Sequence, residues 1–417
     1  MKNCHRVLSN LNRWLGVLTT IALLSCSDKQ HSDSVLRVWH FWSAPQHQRV
    51  LQALVREFER QANCRVELTP LSWNEGKTKL MAAFNSGTAP DVLELGSDWI
   101  AQYSSAGVLA ELPGEFVQPH QWLEWALPPC QWQGRYYAVP WIVDTRVLFV
   151  NTALLSQAGV SLPKNLDDLL AVAIAVHQHT NASGFAATGA DEHRLYKKIL
   201  PFIWTLGGDI LDTNGRCVLY SEPNIRALEL YVLLSQNGII DTQKQLDAAF
   251  TRGEVALWQS GSWLIEKIER ENPSLPYTVI PLPGVRPSQY GISFAGGEYW
   301  AIARSSQQQE LARAFIAFMT ECSRVVRFCR EVPEAGFPAR RACAADSTVI
   351  SHRHKRVFAE QLHAARMTPV HPRWLEIEQA LEAAVVDVLY GKATASAALR
   401  AAHAKIAELV AQTQKGQ

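Results

Sequence analysis

At 417 residues the chain exceeds what one hydrophobic core usually organises, so two lobes are expected. Apolar residues at 47% and charged ones at 19% exclude a disordered chain, and 40 basic against 39 acidic side chains leave no overall field to gather nucleic acid or acidic lipid. The unusual number is 14 Trp, each with a broad flat face and one N–H, a shape that serves a core most often and a flat ligand otherwise.

The N-terminus stands apart. Lys2, Arg6 and Arg13 precede "WLGVLTTIALLS", about a dozen mostly apolar residues, too few to span a bilayer and suited to the h-region of a signal peptide. The "LLSC" that ends at Cys26 resembles a bacterial lipobox. On that reading residues 1–25 are removed, Cys26 carries the lipid and 26–34 are a tether; a plain secretory signal with an incidental Cys is the alternative. Export makes disulfides permissible among Cys64, Cys130, Cys217, Cys322, Cys329 and Cys343, but their spacing selects no pairing, and reduced core cysteines fit equally well. The absence of C-x-x-C argues against a zinc knuckle.

Next, "VLRVWHFW" reads as a strand whose alternation puts Trp39 and Phe41 on one face, His40 and Trp42 on the other. The helix that follows, with Val50, Leu51, Leu54, Val55 and Phe58 on one side, is expected to cover Trp39 and Phe41 and to leave Trp42 as a ligand candidate. "CRVELTPL" reads as a strand, "NEGKTKLMAAFNSGTAP" as a helix closed by Gly87 and stopped by Pro90, and "DVLEL" as a third strand. Two strand-like runs in "GRYYAVPWIVDTRVLFVNTALLSQAG" are expected to meet near Pro140. Helices follow over 167–178 and 225–235, then strand, tight turn and helix in "ALWQSGSWLIEKI". The loop-rich "NPSLPYTVIPLPGVRPSQYG" suits a crossing between lobes, and two helices close the chain, through Ile377 to Leu389 and from about 396. The alternation of strands and helices is that of an α/β fold with mostly parallel strands.

No catalytic motif is present: no G-x-S-x-G, H-E-x-x-H, P-loop or G-x-G-x-x-G. "SHRHKR" reads as a solvated basic loop rather than a metal site, because its cationic neighbours would repel a metal. What recurs is Trp beside a polar residue at strand ends: Trp42 with Ser43, Trp99 with Asp98, Trp141 near Asp144, Trp263 after Ser262. Ligands of open parallel sheets sit outside the carboxyl ends of the strands, and a sugar suits aromatic plates flanked by carboxylates.

The ordered segments "FNSGTAPDVLELGSDWIAQYSSAGVLAEL", "YYAVPWIVDTRVLFVN", "FIWTLGGDIL", "AFTRGEVALWQSGSWLIEKI" and "FAGGEYWAIARSSQQQELARAFIAFM" closely resemble the family 1 extracellular solute-binding proteins of ABC importers, the group containing maltose-binding protein. The resemblance runs from 36 to about 410 and implies a two-lobed periplasmic-binding-protein fold of type II. Each lobe would be a mostly parallel sheet flanked by helices, residues 35–140 and 292–338 forming one and 141–291 and 339–417 the other, with a hinge between. It implies a monomer, lipid-anchored on the periplasmic side or cell surface, that closes over a sugar and hands it to a permease, with no catalysis, cofactor, metal or nucleic acid. Carried over by position, Asp98 and Asp144 would bind sugar hydroxyls, Trp263 would stack on the ring, Trp42 and Ser43 would contact ligand from the first loop, and Trp374 would be a C-terminal aromatic of the cleft. Trp141, Trp204, Gly297 and Glu298 complete the candidate set. The alternatives are an exported carbohydrate-active enzyme and a carrier of a polyol phosphate clamped by Arg146, Arg340 or Arg373.

Overall fold

The main strands, in chain order and leaving out three two-residue ones at Gln131–Trp132, Arg135–Tyr136 and Ala365–Arg366, are β1 (Val35–His40), β2 (Arg65–Pro70), β3 (Val92–Gly96), β4 (Ala138–Thr145), β5 (Val147–Asn151), β6 (Ser183–Thr188), β7 (Gly238–Asp241), β8 (Val255–Ser260), β9 (Tyr277–Ile280), β10 (Ser293–Ile302) and β11 (Phe337–Pro338). They form two main sheets, ordered β11-β4-β10-β3-β1-β2 and β9-β5-β8-β6-β7. This computed structural model describes residues 34–415 except Asn74 and Ala190, so the leader and Cys26 lie outside the described residues. Both sheets are mixed. β1 runs parallel to β3, and β8 to β6, while β10 is antiparallel to both β3 and β4, and β5 to both β8 and β9. The antiparallel strands are those next to the crossings between the sheets.

The β-α-β-α-β opening forms as its pattern implies, with helices α1 (Pro45–Ala62) and α2 (Gly76–Ser86). Gly87 closes α2 in the left-handed region at φ 70°, its N–H bonded to the carbonyls of Ala83 and Phe84. The face covered by α1 is the opposite of the one expected. Leu51, Leu54, Val55 and Phe58 pack with Leu36, Val38 and Trp42, while Phe41, with the half-buried Trp39, belongs to a cluster around Leu71, Leu80, Leu95 and Trp99. Arg37 shares the face of Trp39 and is exposed, which makes the Leu36–Val38 side the better one to bury.

The expected break at Pro140 does not occur. β4 runs through it, and the register of β10 shifts between Glu298 and Tyr299, opposite this position, so the missing N–H falls at a bulge. The break comes at Arg146, the one residue between β4 and β5. The return crossing lies at Ser293, later than the loop-rich passage suggested; that passage instead contributes β9 to the second sheet. The buried Ser293 hydroxyl accepts from the Arg146 N–H (3.2 Å) and donates to the Arg146 carbonyl (2.7 Å), while Thr145 Oγ1 donates to it at 3.0 Å. The two crossings are thus bonded side by side.

The second sheet is flanked by α3 (Leu166–His179), α5 (Glu222–Gln236) and α6 (Gln243–Thr251); α4 (Tyr196–Thr205) lies against α5 and β10, α7 (Trp263–Glu271) against α6 and the turn at Pro333–Ala335, and the first sheet receives α8 (Cys322–Glu331). Helix α9 (Arg353–Gln361) lies beside β4, β5 and β9, and α10 (Trp374–Leu389) and α11 (Ala395–Lys415) pack on each other and on α5. Cys322 and Cys343 form a disulfide; Cys64, Cys130, Cys217 and Cys329 are free thiols. No described helix is long and apolar enough to cross a membrane.

Candidate functional site

β3 is buried along its whole length, and Asp98 stands two residues beyond its end. A Cβ at Gly96 would stand 2.8 Å from the Asp98 carboxylate, so a larger residue there would push that side chain aside. From the other lobe Tyr196, at the start of α4, donates its hydroxyl to Asp98 at 3.1 Å. Burial, reinforced by Asp98 and Glu378, pushes the Tyr196 hydroxyl well above its ordinary pKa, so it remains a donor. Below it Glu382 accepts the Tyr196 and His193 N–H groups, each at 3.1 Å, and the His193 ring bonds to Glu378. That bond raises the His193 pKa, while burial raises that of Glu378. One Glu378 carboxylate oxygen is buried with no hydrogen-bond partner.

Trp73 follows β2 and is 41% exposed. One face stacks on Phe41 at 4.1 Å and 19°, and Trp99 meets it edge-on at 5.5 Å. Lys77, in the first turn of α2, lies 5.4 Å over Trp99; burial lowers its pKa, and Asp98 and Glu378 work against that.

A second constellation lies at the crossing. Asp144, next to last in β4, pairs with Arg146, whose guanidinium lies 4.6 Å over the Trp263 ring and 5.4 Å over Phe294. Arg146 Nε is buried without a partner. The Trp263 N–H donates to Asp247 at 3.0 Å, and the same carboxylate accepts from Trp258 Nε1 (2.7 Å) and Ser260 (2.9 Å). In "SGSW" the glycine is obligatory, since a Cβ on Gly261 would lie 1.9 Å from the Trp263 ring. Gly297 lets β10 approach β4, where a Cβ would meet the Ile142 carbonyl at 2.6 Å. Beside it the half-buried Glu298 has a strongly raised pKa, from burial first and then from Asp144 and Glu94.

The family model described as bacterial extracellular solute-binding protein matches residues 44–321, most of this chain. The chain belongs to that family. As a solute-binding protein it works on the periplasmic side of the membrane or at the cell surface. It is similar to a putative binding protein of Brucella abortus, 24% identical over 406 residues, 94% of this chain and 96% of that one. The diacetylchitobiose-binding protein of Streptomyces coelicolor is 24% identical over 366 residues, 83% of each chain. Among solved structures the GacH receptor of Streptomyces glaucescens, determined unliganded and with acarbose, superposes with a TM-score of 0.80 at 24% identity, over 90% of this chain and 98% of that one. A solute-binding protein of Thermotoga lettingae bound to α-D-tagatose gives 0.80 at 21%, over 90% and 100%. These likenesses carry the two-lobed fold.

In this solute-binding protein Asp98 follows β3, Asp144, Gly297 and Glu298 lie on the paired strands β4 and β10, Trp263 opens α7, and Ser43 is exposed at the tip after β1. Four expected aromatic plates are buried. Trp42 packs edge-on to Trp141, Phe328 and His47, and Trp141 lies against Trp300 at 4.7 Å. Trp204 is in the core of the second lobe with its N–H on Asp209 (3.2 Å), and Trp374 supports Tyr196 from beneath at 5.7 Å. Trp73, Lys77, His193, Tyr196 and Glu378 escaped the sequence reading.

The arginines of the phosphate reading do not converge. Arg146 pairs with Asp144, Arg340 lies on Trp122, and Arg373 pairs with Glu376. "SHRHKR" is not a solvated loop either: His352 caps α9, and His354 and Lys355 are buried. Among the described residues no group of three His, Cys, Asp or Glu stands ready for a metal.

Proposed function

We propose that the protein captures a saccharide between its lobes and delivers it to the permease of an ABC importer. The observation that carries this reading is an exposed ring, Trp73, beside hydrogen-bonding groups from both lobes, Asp98, Tyr196 and Glu378, the last with an unpaired buried oxygen. A buried polar atom without a partner is costly, and a sugar hydroxyl would satisfy it while the C–H face of the ring lies on the indole. Further on, Arg146 occupies the face of Trp263, so a sugar stacked there displaces or shares the guanidinium. The saccharide ligands in the names of the Streptomyces and Thermotoga proteins support the same class. Asp98, Asp144, Glu298 and Trp263 are assigned to the sugar, and Trp42, Trp141, Trp204 and Trp374 act by supporting the walls. Ser43 and Gly297 border them. The protein acts as a monomer anchored through a lipid on Cys26, and residues 35–140 with 292–338 close against 141–291 with 339–417.

Native mass spectrometry of protein purified without refolding, followed by calorimetry with the saccharide it retains, tests the reading. Stoichiometric binding with the sugar recovered intact supports a carrier, and product formation would establish the exported-enzyme reading instead. Cys26→Ala should abolish partitioning into a detergent phase.

A further inference from the structure

Phe294, the second residue of β10, joins the two constellations around Asp98 and Asp144. Tyr196 meets its ring edge-on at 5.9 Å, and the same ring carries two cations, the Arg146 guanidinium at 5.4 Å and Lys197 Nζ at 5.5 Å. Side chains alternate along a strand, so Phe294, Gly296 and Glu298 share one face of β10, and Gly296 stands opposite Asp144 on β4. A Cβ at Gly296 would come 2.6 Å from the Asp144 carboxylate and 3.0 Å from the Phe294 ring. The carboxylate and the ring thus flank a spot that only glycine leaves clear.

The two cations are unequally provided for. Arg146, 6% exposed, donates from Nη1 to Asp144 and, at 3.1 Å, to the Thr145 carbonyl, while its buried Nε has no acceptor. Lys197 is half-buried, lies 5.4 Å over the Tyr196 ring, and has no carboxylate partner among the described residues. The nearby acids do not make up the difference. Asp144 is engaged by Arg146, and Asp98 accepts the Tyr196 hydroxyl. Burial, then Asp144 and Glu94, push the Glu298 carboxyl well up against the pull of Lys197 and Arg146, so at neutral pH it carries a proton to donate. The neighbouring Lys198 is turned to the Gln259 carbonyl at 2.7 Å; burial, then Arg146, lower its pKa.

We propose that the saccharide is an acidic one, a uronate whose carboxylate lies between Lys197 Nζ and the Nε edge of Arg146. A carboxylate brings one charge and two oxygens in a plane, which match one unpaired lysine and the unused edge of a guanidinium fork. A phosphate monoester, with nearly two charges, would exceed the single cation left over. Trp263 then acts beneath Arg146, holding the guanidinium flat against its ring at 4.6 Å.

This proposal rests on the saccharide reading, and the test separates the two. The full chain is incubated with oligosaccharides from partial hydrolysis of pectin, alginate and glucuronoxylan, with the same mixtures after reduction of their carboxyl groups to alcohols, and with neutral oligosaccharides from starch, galactan and chitin. Native mass spectrometry reads which components stay bound. Retention from the acidic mixtures, and not from their reduced counterparts, is expected. In calorimetry with the retained oligosaccharide, Lys197→Met should lose at least about tenfold in affinity, the worth of one hydrogen bond to a charged group. Lys197→Arg should restore most of it, and the melting temperature of both variants should stay close to that of the unmodified protein. Retention of the reduced or neutral mixtures in preference to the acidic ones, or an acid held equally well by a folded Lys197→Met, overturns the proposal and leaves the saccharide reading standing. Retention from no mixture overturns both.

Discussion

Replacing Asp247 by Ala should unsettle the second lobe more than any exposed substitution, and its cost can be worked from three hydrogen bonds. The carboxylate accepts from Trp258, Ser260 and Trp263 at 2.7, 2.9 and 3.0 Å in a buried position. Hydrogen bonds to a charged acceptor contribute about 1.5–3 kcal/mol each, and stranding their donors in a dry site adds desolvation. Against that, burial raises the Asp247 pKa despite the Trp258 bond and the Lys198 charge, so keeping the charge there is itself costly. The three terms are not additive, and a net loss of about 3–5 kcal/mol is expected. Urea unfolding followed by fluorescence and circular dichroism measures it. Asp247→Asn keeps one acceptor oxygen but turns an N–H2 toward a donor, so it should fall between Ala and the unmodified protein. In the Asp247→Ala background Trp263→Phe should cost less than it does alone, by a coupling of about 0.5–3 kcal/mol. An Ala variant that loses under about 1 kcal/mol would refute the view that Asp247 sets the Trp263 ring.

Glu94, fully buried, has its carboxyl pushed up to about 8 by burial, opposed by the Phe41 N–H that it accepts at 2.9 Å. Its stabilising contribution is complete below its ordinary 4.5 and is lost as pH rises through 8. Glu94→Gln should flatten the decline in stability from pH 5 to pH 9 by at most about 5 kcal/mol in denaturant titrations, and an unchanged decline argues against a neutral Glu94. Cys343→Ser opens a disulfide linking residues 21 apart and should cost about 3 kcal/mol, read as the difference from the oxidised protein in chemical unfolding. Trp73→Ala should weaken saccharide binding by roughly 30-fold with little change in melting temperature, whereas Trp141→Ala should cost roughly 3–5 kcal/mol of stability; the reverse pattern would move the ring contact elsewhere.

The order of elements was legible because period and punctuation agreed: Gly87 ends α2, and the apolar stripe of α1 lies on the sheet. Which face of β1 it covers was equally present in Arg37, but the weight given to Trp39 masked it. In the candidate site, some residues stand where one short motif puts them. Asp98 follows a strand end and Trp263 follows a turn glycine, both local facts. Trp141 and Trp374 look the same in one dimension as cleft residues, since only the packed neighbours Trp300 and Tyr196 reveal them as core. Tyr196 and Glu378 act through partners far away in sequence, and no periodicity carries that. Trp73 did leave a signal: a lone large ring between polar residues in "LSWNEG", ahead of a helix.

The place of β10 in the first sheet sets an order on synthesis. It lies between β3 and β4 and pairs with both, yet every strand of the second sheet leaves the ribosome before it. Until Ser293–Ile302 emerges, β3 and β4 each present a bare hydrogen-bonding edge to any neighbouring chain, while the five strands of the second sheet are already available to one another. A chain interrupted before this segment would therefore carry a complete second sheet and a first sheet cut in two. The late strand makes the first lobe a check that translation has passed its three-hundredth residue.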